Sequence, residues 1–320
     1  PQNSGKLLGR TLGIAYLSTI AAGTLAFLVA TLVIPMLAPA AADLASTEGV
    51  NLTPYIEMNI PPVMSVMSAL ALAFIFGLGI ASTQATSLKQ LSDQGRDIIQ
   101  LLLTKIIIPF LPLYIAGVFA QMAAAGTVFV TLKTFGIVLV LAIVLHWVWI
   151  CSLFVMAGIK AGKSPLGLIK NMLPAYFTAL GTMSSAATIP VSLQATKNNG
   201  VKEDVANFTV PLCATVHLSG STITIVSCAV AVIMMKSNLE IPSLFTMLPF
   251  ILTLGVVMLA APGVPGGAVM SAVGLLGSML GFGEGAIALM IALYMAQDSF
   301  GTACNVTGDG AIAVLVDKAE

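Results

Sequence analysis

The sequence is 320 residues long, 58% hydrophobic and only 8% charged, with zero formal net charge and a mean hydropathy of +1.02. Soluble domains carry roughly 25% charged residues, so the composition excludes a water-soluble globule and points to a multi-pass protein of the cell membrane. With no basic patch and no charge excess, a nucleic-acid partner is excluded as well.

In chain order, apolar segments near or above the roughly 20 residues of a spanning helix are predicted at 8–36, 63–81, 98–123, 128–157, 205–235 and 286–316. Pro1 to Lys6 leads straight into the first of them, so no signal peptide is expected. Two more apolar regions, 171–199 and 241–280, are interrupted at their centres. The first carries Gly181-Thr182-Met183-Ser184-Ser185-Ala186-Ala187-Thr188-Ile189-Pro190, the second Ala261-Pro262-Gly263-Val264-Pro265-Gly266-Gly267. Each half is too short to cross a bilayer, so each region reads as a hairpin that enters and returns. The expected fold is therefore all-α, with six spanning helices and two inverted re-entrant hairpins.

Charge placement tests that topology. Lys6, Arg10, Lys89, Arg96, Lys160, Lys163, Lys170, Lys197, Lys202 and Lys318 all fall on one side if both broken regions re-enter. The opposite loops carry Asp43, Glu48 and Glu57 without Lys or Arg, and Lys236 is the exception. The positive-inside rule makes the first side cytoplasmic. Lys105 and Lys133 read as snorkelling side chains. Cys151, Cys213, Cys228 and Cys304 all sit in apolar segments and read as small buried hydrophobes.

Two carboxylates, Asp298 and Asp309, fall on the last apolar segment with Thr302, Asn305 and Thr307. A carboxylate at bilayer depth costs several kcal/mol unless it meets an ion, a partner or a water-filled cavity. This span therefore reads as a site for a cation and a polar solute. Paired inverted broken hairpins beside such a span are the pattern of a secondary transporter with its site at the midplane. Close packing of small residues is the plainer reading of either hairpin alone.

Four motifs occur in order: Ser184-Ser185-Ala186-Ala187-Thr188-Ile189-Pro190, Pro211 to Ser221, Gly263-Val264-Pro265-Gly266 and Asn305-Val306-Thr307-Gly308-Asp309. Together they resemble the dicarboxylate/amino acid:cation symporter family, which includes the glutamate transporters, over nearly the whole chain. The family's first two helices have no counterpart in the sequence. The resemblance implies a homotrimer in which a transport domain slides like an elevator against a fixed scaffold. Residues 1–36 and 126–320 would form the transport domain, 37–125 the scaffold, and the second hairpin the extracellular gate.

The resemblance further implies roles for single residues. Asp298 would hold a substrate ammonium, where a charge-assisted bond is roughly twice as strong as a neutral one. Thr302 would be a second contact, and Ser184, Ser185 and Asn305 would serve the α-carboxylate. Gly263 and Val264 would add backbone groups from the second tip. Asn305 and Asp309 would bind Na+, with H+ as the alternative coupling ion. For Asn305 and Thr302, ordinary interhelical hydrogen bonding is the plainer reading. Where family members selective for acidic substrates place an arginine, this chain has Gly301, and the hairpin position sometimes held by arginine is Met183. Without a guanidinium clamp, a small neutral amino acid is the expected substrate; an acidic one is the alternative. A further cation site, matched by Tyr16, Thr19, His217 and Ser219, has lost a carboxylate, an amide and a hydroxyl (Ile20). His217 titrates there or donates a plain hydrogen bond in the bundle. His146, beside Trp147 and Trp149, reads as packed or interfacial.

Readings from other classes fare less well. An aspartyl protease would need Asp298 and Asp309 to share a proton, yet eleven residues of one helix hold them about 16 Å apart. A serine hydrolase using Ser184 or Ser185 with His217 lacks a Gly-x-Ser-x-Gly elbow. A passive channel lacks a charged ring.

Overall fold

The computed structural model describes residues 4–37, 63–124, 126–236, 239–259 and 261–319. The acidic loop with Asp43, Glu48 and Glu57 lies outside the described residues. The described elements are helices: α1 (Ser4–Leu37), α2 (Val66–Thr83), α3 (Thr86–Leu102), α4 (Ile108–Ala124), α5 (Val128–Ala161), α6 (Pro165–Thr182), α7 (Ser185–Asn198), α8 (Glu203–Val216), α9 (Ser219–Met235), α10 (Leu244–Met258), α11 (Gly267–Leu280), α12 (Glu284–Met295) and α13 (Asp298–Asp317). A π-turn, Leu103–Ile107, joins α3 to α4.

Among the described residues four helical stretches are long and apolar enough to cross a membrane: Gly5–Leu37, Thr86–Ala124, Val128–Ala161 and Glu203–Met235. The pair α12–α13 makes a fifth if its 61° bend is one broken span. The second expected span, α2, is among the shorter apolar helices. The third begins earlier than its apolar run suggests, at Thr86. Its first turns are held in helix by Lys89–Asp93 (3.0 Å) and Arg96–Asp93 (3.5 Å), pairs at the i,i+4 and i,i+3 spacings that support a polar helix.

Both interrupted regions form hairpins. Pro165 at the first helical position, with Ser164 as N-cap, starts α6. Met183 ends it in the left-handed conformation (φ 50°), and Ser184 caps α7 by accepting from Ala187 N–H (3.3 Å). The open ends are tied together: Asn171 Nδ2 donates to Asn199 Oδ1 (2.9 Å), and Asn199 Nδ2 to Leu168 O (3.2 Å). In the second region α10 and α11 pack together, and Leu239 approaches Gly281 at the open end. The tips meet. Ser184 Oγ donates to Gly263 O at 2.9 Å.

The two spans that cross these tips are both broken, where uninterrupted helices were expected. The α8–α9 span unwinds at His217–Leu218, and the α12–α13 span bends at Ala296–Gln297. Breaking a helix frees backbone donors at the start of the next one. The N–H groups of Gly220 and Ser221 are taken by Asn305 Oδ1 at 2.7 and 3.2 Å.

The core lies where α13 packs on α5, α6, α8 and α9, with α1 against α9. By contrast α3 has no buried residue, and α2–α4 expose Phe74, Ile75, Leu78 and Phe110. One end of the bundle gathers the basic residues. Arg10 donates to Ala319 O, Lys163 to Asn199 O, and Lys202 N–H to Asp317 Oδ1. Lys236 ends α9, at the far end of the α8–α9 span from Lys202.

Candidate functional site

Between the two hairpin tips and the broken spans lies a cavity of about 20 Å³, room for roughly one water molecule. Met183 and Ser185 line it from the first hairpin, Gly263 and Val264 from the second. Ala214, Leu218 and Ser221 come from the α8–α9 span, and Tyr294, Asp298, Thr302 and Asn305 from α12–α13. None of its lining residues is Lys, Arg or His.

Asp298 is its one charged residue, 4% exposed at the start of α13. Its Oδ2 accepts from Gly266 N–H (2.7 Å) and its Oδ1 from the Tyr294 hydroxyl (2.9 Å). The carboxylate thus holds the tip of the second hairpin against α13. Gly266 has φ 74°, and a Cβ there would lie 2.8 Å from Met295 Sδ, so glycine suits both the turn and the close approach. Thr302 lies one turn beyond Asp298 on the cavity wall.

Gly301 is turned away from the cavity. A Cβ there would sit 3.2 Å from Thr224 Oγ1 and 3.5 Å from Ser221 Cα, facing α9. The crossing is tight from the other side too, since a Cβ on Gly220 would lie 2.4 Å from Gly301 O and 2.6 Å from Cys304 Cβ. Asn305 fastens this crossing: besides its two accepted bonds, its Nδ2 donates to Ser221 Oγ (2.9 Å). The start of α9 thereby takes both acceptor positions and one of the two donors of its amide.

The residues expected around cations are arranged in a different way. His217 is fully buried at the α8–α9 break; its Nδ1 lies 2.9 Å from Asp309 Oδ1 and its Nε2 2.9 Å from Ser18 Oγ. Tyr16 instead donates to Leu252 O (3.0 Å) and Thr19 to Ala15 O in its own helix (3.0 Å). Ser219 Oγ is buried with no hydrogen-bond partner among the described residues. Among those residues no three His, Cys, Asp or Glu side chains are placed to hold a metal ion together. Asn305 Oδ1 is bonded to two N–H groups, and Asp309 Oδ1 faces the His217 imidazole.

Two residues escaped the sequence reading, and a third, His146, read as packed or interfacial, is packed. Tyr294 precedes Asp298 by one turn, and an aromatic hydroxyl at that spacing was the available signal. Ser18 gave none, since its partner is 199 positions away. His146 is fully packed, with Nε2 3.0 Å from Gly220 O and 3.1 Å from Thr224 Oγ1, so it braces the α9–α13 crossing.

Comparison with known proteins accords with this arrangement. Residues 1–319 match the family described as "Sodium:dicarboxylate symporter family". The chain is 27% identical over 252 residues to the human excitatory amino acid transporter 1, an alignment covering 77% of this chain and 45% of that protein. It is 30% identical over 272 residues to the serine/threonine transporter SstT of Acinetobacter baylyi, covering 81% of this chain and 66% of the relative. With the human neutral amino acid transporter B(0) it shares 23% over 275 residues, 80% of this chain and 48% of that protein. The chain spans about half the length of the excitatory transporters it matches. With residues 1–319 matched, the chain belongs to the sodium:dicarboxylate symporter family.

Proposed function

We propose that the chain carries a small neutral amino acid across the membrane, coupled to a cation gradient. The observation that carries this reading is a small cavity between two hairpin tips with one carboxylate, Asp298, and no cationic side chain on its wall. An ammonium group satisfies Asp298 in place of the Gly266 N–H. Ser185 and the backbone of the first tip then serve the substrate's α-carboxylate. A side-chain carboxylate would be buried without a countercharge, at a cost of several kcal/mol. Two of the relatives bear names that fit, a serine/threonine transporter and a neutral amino acid transporter.

The contact of Ser184 with Gly263 is the closed state of a gate, and release of Gly266 from Asp298 opens it. Residues 37–125 serve as the fixed scaffold of a homotrimer, and the exposed apolar faces of α2–α4 supply surface for lipid and for the other copies. Residues 1–36 and 126–320 move as the transport domain, with six spans and two re-entrant hairpins in all. Sodium is the proposed coupling cation, on the strength of the family description. The test is uptake of labelled L-serine or L-alanine into proteoliposomes under an imposed Na+ gradient. Saturable, gradient-driven accumulation is the expected result; uptake that is linear in substrate and indifferent to any cation gradient would make the chain a passive pore.

A further inference from the structure

His217 has a built seat. It stands where α8 ends, fully buried, and two other elements, α1 and α13, hold its ring. Ser18 on α1 and Asp309 on α13 each lie 2.9 Å from one of its nitrogens. The third support is a missing side chain: a Cβ on Gly308 would fall 2.8 Å from His217 Cε1 and 3.3 Å from Leu153 Cδ1 of α5. The ring therefore fills the space beside Asp309 down to the backbone of α13. A hard cation approaching Asp309 Oδ1 from the side of His217 would need to sit about 2.4 Å from it, in ground the imidazole already occupies.

We infer that His217 takes the place of a coupling cation at Asp309, joining α1, the α8–α9 break and α13 with a side chain instead of an exchangeable ion. This rests on the reading of the chain as a cation-coupled carrier. An ion bound there would order the three elements on arrival and loosen them on departure, so that its gradient drives the cycle. A tethered ring orders them permanently. Asp309 is then a positioning residue, and any sodium that drives transport binds elsewhere in the chain.

The experiment uses the full purified chain and sodium alone, titrated against choline, with thermal unfolding as readout. Asp309→Asn should leave the midpoint for sodium within about twofold of the parent's, or leave both without a response. A tenfold or greater rise in that midpoint overturns the inference, because Asp309 would then be a sodium ligand. His217→Ala, or His217→Asn if the first does not fold, should gain a sodium response that the added Asp309→Asn change removes. Folded variants of both kinds without such a gain also overturn it, leaving His217 as plain packing. Serine uptake in parallel keeps the two ideas apart: if no amino acid is transported, the carrier reading fails while the sodium titration still decides the role of Asp309.

Discussion

Replacing Asp298 with Asn should abolish substrate binding and spare the fold, for reasons that the local geometry makes quantitative. Its Oδ2 accepts from Gly266 N–H at 2.7 Å and its Oδ1 from Tyr294 O–H at 2.9 Å. An asparagine can satisfy both partners. Its Oδ1 accepts from Gly266, and its Nδ2 donates to the Tyr294 oxygen, since a phenol hydroxyl accepts as well as donates. The second hairpin tip keeps its anchor, so stability should change by less than about 1 kcal/mol. The bound state loses far more. An ammonium left in a cavity without its countercharge costs about 3–5 kcal/mol, which is roughly two to three and a half decades of affinity. The assay is equilibrium binding of labelled L-serine to the purified chain, with thermal unfolding beside it. A variant that unfolds like the parent and binds within threefold of it would refute the role given to Asp298.

Tyr294→Phe removes one of the two partners of Asp298 and should weaken serine binding by up to about tenfold, the worth of one hydrogen bond; unchanged binding would mean the hydroxyl is idle. Gly220→Ala drives a methyl to 2.4 Å from Gly301 O. Overpacking of this kind costs roughly 1–3 kcal/mol, so the unfolding temperature should drop by several degrees, and an unchanged value would deny the tight α9–α13 crossing. The hairpin tips can be tied covalently. A Cβ at Gly263 lies 3.8 Å from the Ala186 Cβ, within the roughly 3.5–4.5 Å that a disulfide needs. In a background with Cys151 replaced by Ser, Ala186→Cys with Gly263→Cys should oxidise readily and stop uptake until reduced. Failure of the pair to cross-link would separate the tips.

Much of this site was legible in the sequence, and what was missed has common causes. The hairpins announce themselves by Gly181 to Pro190 and Pro262 to Gly267; in the second, proline and glycine stand at the break, whereas in the first Gly181 and Pro190 lie inside α6 and α7 and the break falls at Met183 and Ser184. Asp298, Thr302 and Asn305 share a face by helical spacing alone, and all three line the cavity. The breaks at His217–Leu218 and Ala296–Gln297 contain neither glycine nor proline. They persist because partners distant in sequence take the freed backbone groups, as Asn305 does for Gly220 and Ser221. Gly301 belongs to the same class of surprise. Three positions from Asp298, it faces α9 and not the cavity, because the phase of a crossing depends on the neighbouring helix. On α1, Tyr16 and Thr19 carried the resemblance, yet Ser18 is the residue that meets His217. Both Ser18 and Thr19 are buried, and packing alone decides which of the two hydroxyls reaches the ring.

The most direct test of the substrate reading is competition in proteoliposomes. Serine, alanine, cysteine, methionine, aspartate and glutamate are each set against whichever labelled amino acid the chain accumulates. The cavity wall has Asp298 and no cationic side chain, so neutral amino acids should compete at least a hundredfold better than aspartate or glutamate, matching a penalty of about 3 kcal/mol for an unpaired carboxylate. Tighter competition by aspartate or glutamate would contradict it, and would require a cationic group to enter the cavity.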